Sequence, residues 1–140
     1  MPKKYVPSEI GKSEEGYCFI RVSSGDLVIF DEEDAGKVAG YHWYAHKRGR
    51  GLYAYAHDPH NHKIHVHMHR LVLPDAPFDI DHINGNGLDN RKCNLRSATR
   101  SQNIANTPTR SDNKLGLRGV CYHKATGKYM AQISKLGEHF

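Results

Sequence analysis

The first half of the chain is patterned for strands. GYCFIRVSS and LVIF are short runs rich in β-branched and aromatic residues, and Gly25-Asp26 between them is a turn signal, so they are expected to pair. DEEDAGKVAGY then predicts a short helix, its acidic first turn matched to the positive helix end and Gly40 closing it. HWYAHK and GLYAYAHD predict a second hairpin joined at the basic Arg48-Gly49-Arg50 turn, with Trp43, Tyr44, Tyr53 and Tyr55 expected to pack a small core. Further on, HVHMH alternates, which places His65, His67 and His69 on one face of a strand.

The most informative stretch lies between Asp81 and Asn103 and reads DHINGNGLDNRKCNLRSATRSQN. FDIDH is short, apolar and extended; INGNGLDNRK is full of turn formers; NLRSAT is a second short strand. SQNIAN then predicts a helix with Thr99 or Ser101 as its N-cap. This order folds the segment back on itself and brings Asn103 towards Asp81. A surface loop of ordinary turns would account for INGNG, but not for the paired Asp and His or for the asparagine on the next helix.

These residue types suit phosphodiester hydrolysis. A histidine with its usual pKa near 6.5 is mostly unprotonated yet still basic at physiological pH, so it can take a proton from an attacking water. The leaving oxygen needs positive charge, which a hard divalent cation supplies while held by one or two protein oxygens, here Asp81 and the Asn103 side-chain carbonyl. Adjacent strand residues face opposite sides, so Asp81 and His82 address one phosphate only if the strand twists or breaks, and Asn84-Gly85-Asn86-Gly87 is where a break is expected.

On these residues the segment closely resembles the HNH endonucleases, in particular the phage and intron-encoded branch whose third motif residue is asparagine. The resemblance implies a ββα metal finger with His82 as general base and Asp81 as a metal ligand. It implies that Asn94, twelve positions after His82, braces the loop and orients the histidine, and that Asn103, twenty-one positions after it, is the second ligand. One Mg2+ or Mn2+ per site is expected. The run from YHWYAHKRGRGLYAYAH through MHRLVL to DHINGN resembles the N-terminal extension of phage HNH proteins.

Composition narrows the alternatives. The 140 residues are 38% hydrophobic, which allows a modest core. No run of 18 apolar residues and no secretory leader is visible, so a soluble protein of the cell interior, without a membrane partner, is expected. Cys18, Cys93 and Cys121 are odd in number and far apart, which argues against a disulfide framework. The net charge of +5 is uneven: from Gly87 onward ten Lys or Arg face only Asp89, Asp112 and Glu138. A basic half beginning inside the motif favours a phosphate-backbone partner, with Arg91, Arg96 and Arg100 as candidate contacts.

After the motif, residues 108–113 have the polar, proline-marked character of a linker. Beyond them LRGVCYH and KYMAQIS predict a hairpin turning at ATG. Arg118-Gly119-Val120 and Gly127-Lys128-Tyr129 resemble the opening hairpin of the DNA-binding domain of plant ethylene-response factors, which is also appended to phage HNH nucleases. The resemblance implies DNA contacts by Arg118, Lys128 and Tyr129.

The resulting expectation is an α+β protein with a β-rich N-terminal part (1–76), an HNH ββα-metal motif (77–107), a linker (108–113) and a partial DNA-binding hairpin (114–140). It is expected to act as an endodeoxyribonuclease on double-stranded DNA, as a monomer or homodimer, in a bacterial cytoplasm as a phage or mobile-element product. Two other classes stay open: a DNA-binding protein without catalysis, and a transition-metal module built on the His57 to His69 cluster.

Overall fold

In the computed structural model, which describes residues 5–132, 134–135 and 138–139, the chain divides into two units, Met1–Asn106 and Thr107–Phe140. The first opens with an antiparallel sheet of β1 (Gly11–Lys12), β2 (Tyr17–Arg21) and β3 (Leu27–Asp31), in that order. Cys18 lies opposite Phe30 and Ile20 opposite Val28, and all four are buried, while Phe19 and Ile29 on the other face are half-buried. The period of two therefore sets one wall of the core.

A 3-10 turn at Glu32–Asp34 leads into α1 (Ala35–Val38), and Gly40 follows at φ 89°. Trp43 Nε1 donates to the Val38 carbonyl at 3.1 Å, tying α1 to the next hairpin. There β4 (Trp43–Arg48) pairs with β5 (Gly51–His57), and β6 (His65–His67) adds to the other edge of β5. Of the four aromatics expected in the core, Trp43 is fully buried, Tyr53 and Tyr55 are half-buried and Tyr44 is exposed.

The expected strand through His69 is corrected. The strand ends at His67, and His69 belongs to α2 (Met68–Val72). Met68 and Val72 are both buried, and their spacing of four is a helical period that overrides the HVHMH alternation.

The finger follows: β7 (Asp79–His82), a 3-10 turn at Lys92–Asn94, β8 (Leu95–Ala98) and α3 (Arg100–Asn106). β7 and β8 are antiparallel, with Asp81 opposite Arg96. Thr99 caps α3 in a reciprocal box: its hydroxyl accepts from the Gln102 amide at 3.3 Å, and Gln102 Oε1 accepts from the Thr99 amide at 2.9 Å. Ile80, Leu88 and Leu95 enter the same core as Phe30, Trp43 and Met68, so the finger and the N-terminal sheets share one interior.

The long loop of the finger is pinned on two sides. On one, Ile29 of β3 donates to the Leu88 carbonyl at 2.9 Å and accepts from the Asn90 amide at 2.8 Å, a parallel bridge at the free edge of the sheet. On the other, Gly87 lies so close to β5 that a Cβ there would stand 2.3 Å from the Leu52 carbonyl oxygen and 2.5 Å from the Tyr53 ring. Glycine is required here by close approach rather than by a turn.

In the second unit, β9 (Val120–His123) and β10 (Lys128–Ala131) form a hairpin with Tyr129 opposite Tyr122, and Ser134–Lys135 pairs with Glu138–His139. Residues 133, 136, 137 and 140 of the expected hairpin lie outside the described residues. The secondary structure is α+β, with small antiparallel sheets and short helices. No described helix is long and apolar enough to cross a membrane.

The close approach predicts that Gly87→Ala lowers unfolding free energy by about 1–3 kcal/mol, as overpacked positions do. Urea denaturation tests this, and an unchanged midpoint would mean the loop does not bear on β5.

Candidate active site

Asp81 and His82 are the last residues of β7, and both are buried although neighbouring strand residues face opposite ways. The reason is that both faces of the strand end are covered. Asp81 meets Arg96 across the ladder and Asn106 from α3, whereas His82 meets Tyr53 of β5, His69 of α2 and Asn90 of the loop. The expected break falls directly after His82, where the Gly85 amide bonds the His82 carbonyl at 2.9 Å and Gly85 takes φ 75°.

The imidazole is held by one polar contact and two rings. Its Nε2 lies 3.1 Å from Asn90 Oδ1. An amide oxygen only accepts, so Nε2 carries the proton and Nδ1 is the basic atom. Tyr53 packs edge-on with ring centroids 5.8 Å apart, and His69 does the same at 5.4 Å. Burial in this apolar and neutral setting lowers the His82 pKa below its ordinary 6.5, more than the Asn90 bond and the Asp81 and Asp89 charges raise it. His69 is pushed further, down to about 3, chiefly by burial and then by His82.

Asn94 secures the loop itself. Its Oδ1 accepts from the Asn84 amide at 3.0 Å, and its Nδ2 donates to Asn84 Oδ1 at 3.0 Å and to the Asp89 carbonyl at 2.9 Å. Its side chain is spent on the loop, and the contact that orients the histidine comes from Asn90 instead.

Asp81 sits in a different environment. Arg96 donates from Nε and Nη2 to Asp81 Oδ2 at 3.0 and 2.8 Å. Asn106 Nδ2 donates to Asp81 Oδ1 and to the His82 carbonyl, each at 3.0 Å. On α3 only Asn103 and Asn106 are half-buried among exposed neighbours, so the helix turns this face towards the hairpin. The buried Asp81 carboxylate and the neighbouring His82 carbonyl are hard oxygen donors of the kind that suit Mg2+ or Mn2+, at present bonded by Asn106 Nδ2 and, for Asp81, Arg96.

The other candidates fall elsewhere. Arg91 grips Asp89 through two bonds of 2.9 and 2.7 Å, which, against the upward push of burial, hold the Asp89 carboxyl below its ordinary range. Arg100 is exposed at the start of α3. In the second unit Lys128 and Tyr129 are exposed on β10, with the Tyr129 ring tilted against that of Tyr122 at 5.1 Å, and Arg118 lies before β9.

The histidine-rich stretch is not arranged as a metal centre. His57 Nδ1 bonds the His62 carbonyl at 2.8 Å, and His57, His65 and His67 ring Tyr55 at 5.1 to 5.8 Å. Among the described residues the only trio of potential ligands within 4.8 Å is Asp31, Glu33 and Asp34. That trio is already matched by cations: Lys92 pairs with Glu33 and lies 3.4 Å from Asp34, and Lys37 lies 2.8 Å from Asp34. All three cysteines are free.

Two comparisons with known proteins find similar sequences. Residues 62–105 match the family model described as HNH endonuclease, a span that includes α2 and the finger through most of α3. A protein of Acanthamoeba polyphaga mimivirus named as an uncharacterized HNH endonuclease is 36% identical over 131 residues, covering 91% of this chain. The chain spans 60% of the length of that relative. No solved structure matches it. Residues 62–105 are thus similar to the HNH endonucleases.

His69 gives a pH prediction. Its folded pKa lies below the unfolded value, so between pH 3 and 6.5 the unfolded state binds the extra proton and stability rises with pH. Acidification below 6.5 should therefore cost up to about 1.4 kcal/mol per pH unit from this group alone. Denaturation at pH 6.5 and 5 should show a shallower loss in His69→Phe than in wild type; equal slopes would contradict the assignment.

Proposed function

We propose that the chain is a metal-dependent HNH endonuclease of the homing type that nicks double-stranded DNA, with His82 as general base. The observation that carries this reading is the imidazole at the end of β7, whose Nε2 lies 3.1 Å from Asn90 Oδ1 and so leaves Nδ1 as the basic atom, next in the chain to the buried Asp81 carboxylate. His82 Nδ1 takes a proton from water as the water oxygen bonds to phosphorus. The bond to the 3′ oxygen breaks, that oxygen takes a proton from solvent water, and 5′-phosphate and 3′-hydroxyl ends result.

Asp81 and Asn103 would hold one Mg2+ or Mn2+, which when bound supplies positive charge at the leaving oxygen. Asn94 keeps the loop closed, and Asn106 fixes Asp81 from the same face of α3 as Asn103. The apolar wall of Tyr53 and His69 keeps His82 neutral and so ready to accept a proton.

Arg96 and Arg100 near the site, with Arg118, Lys128 and Tyr129 of the second unit, would contact the DNA. A single motif makes one cut, so a monomer nicks and a dimer is needed to cut both strands. A viral relative supports a mobile-element or phage origin and action inside a host cell.

Supercoiled plasmid tests the whole reading. Nicking is expected with Mg2+ or Mn2+, none with chelator, and a loss of roughly 10²- to 10⁴-fold in His82→Ala. Because the His82 pKa is lowered, the acid limb of kcat/KM should fall below pH 6.5. A plasmid left supercoiled at every metal tried would mark a DNA-binding protein without catalysis, and activity with low zinc alone would move the site to the histidine cluster.

A double variant, Lys128→Ala with Tyr129→Ala, should weaken DNA binding and reduce the slope of log affinity against log salt by about 0.9 for the lost phosphate contact. An unchanged slope would remove the hairpin from the DNA interface.

A further inference from the structure

We infer that Arg96 is a latch on Asp81: it holds the carboxylate while no divalent ion is bound, and passes to a DNA backbone phosphate when ion and DNA arrive together. This rests on the reading of Asp81 as a metal ligand.

The geometry is asymmetric in the way a latch requires. Asp81 and Arg96 face each other across β7 and β8, so the pair is set by strand register and needs no other support. Two guanidinium nitrogens, Nε and Nη2, converge on the single oxygen Oδ2, while Oδ1 is taken by Asn106. The Asp81 side chain is 8% exposed and that of Arg96 45%. The carboxylate is therefore fixed inside the fold, and its cation reaches it from the solvent side.

Burial explains why some cation must always be present. A carboxylate removed from water with no positive partner is strongly disfavoured, so Arg96 stabilises the ion-free protein. A divalent ion on the same carboxylate removes that need and repels the guanidinium at close range. The released group has the planar fork that matches a phosphate, and the proposed reading brings the scissile phosphate to this carboxylate.

DNA binding and ion binding then assist one another through Arg96, because each draws it from Asp81 or replaces it there. The consequence is selectivity in time: the free protein holds its ion weakly and assembles the hydrolytic site only on a duplex.

The test measures Mn2+ binding by electron paramagnetic resonance on the full chain in a His82→Ala background, which prevents cleavage, with and without a DNA duplex. Without DNA, Arg96→Gln should bind Mn2+ about 5- to 100-fold more tightly than the Arg96 protein, the usual span of coupling between sites. DNA should tighten Mn2+ binding in the Arg96 protein and tighten it by a clearly smaller factor in Arg96→Gln. Equal Mn2+ affinity without DNA, or an equal DNA effect in both, overturns the latch.

Arg96→Lys keeps the charge and loses the fork. If Arg96→Gln does not fold, an Mn2+ affinity of Arg96→Lys above that of the Arg96 protein supports the latch, and an equal one overturns it. Asp81→Asn separates the two levels. If it leaves Mn2+ binding to the DNA complex unchanged, the ligand assignment fails and the latch with it. If it abolishes binding while Arg96→Gln changes nothing, the latch alone fails.

Discussion

The hydrogen bonds between Ile29 of β3 and the loop at Leu88 and Asn90 are the constraint on which the rest of the site depends. A loop of asparagines and glycines has little apolar surface, and ordering each of its residues costs about 1–2 kcal/mol of backbone entropy. Three things offset that cost: the bridge to β3, the close contact of Gly87 with β5, and the burial of Leu88. Because the Asn90 amide is bonded to Ile29, its side chain is fixed against His82 and fully buried. The protonation pattern of the proposed base is thus set by a strand far upstream in sequence.

The two faces of the β7 end are kept chemically apart. On the His82 side there are two aromatic rings and one amide, and the buried Nδ1 of the half-buried His69 has no hydrogen-bond partner among the described residues. Burial there outweighs the Asn90 bond and the Asp81 and Asp89 charges that favour an imidazolium, so the His82 pKa falls below its ordinary value. On the Asp81 side a guanidinium and an amide supply donors to the carboxylate. Adjacent residues can therefore have opposite electrostatic tasks because a pleated strand sends them to opposite layers.

Much of this was legible in the sequence where the signal was local. The strand periods at Cys18 to Arg21 and Leu27 to Asp31, the Thr99 cap and the turn after His82 are short-range features that the fold reproduces. The HVHMH stretch misled because two periods overlap there, and burial of Met68 and Val72 decided for the helix. Asn90 and Asn106 were not singled out, since an asparagine that bonds a residue in another element looks like any turn or helix asparagine. The spacing of three between Asn103 and Asn106, one turn of a helix, was the one signal that pointed to the second of them.

The charge pattern shows the same limit in a form that bears on function. The basic half of the chain suggested a uniform attraction for phosphate, yet three of its cations are already committed within the first unit. Arg91 serves Asp89, Lys92 serves Glu33 and Asp34, and Arg96 serves Asp81. The first two stiffen the loop and tie it to the N-terminal sheet, which is a structural use of charge. Arg96 instead holds, with a guanidinium 45% exposed, the buried carboxylate that the proposed reading gives to the metal ion. On the proposed reading, net charge would attract DNA from a distance, while the pairing of individual cations would decide which of them can grip it on arrival.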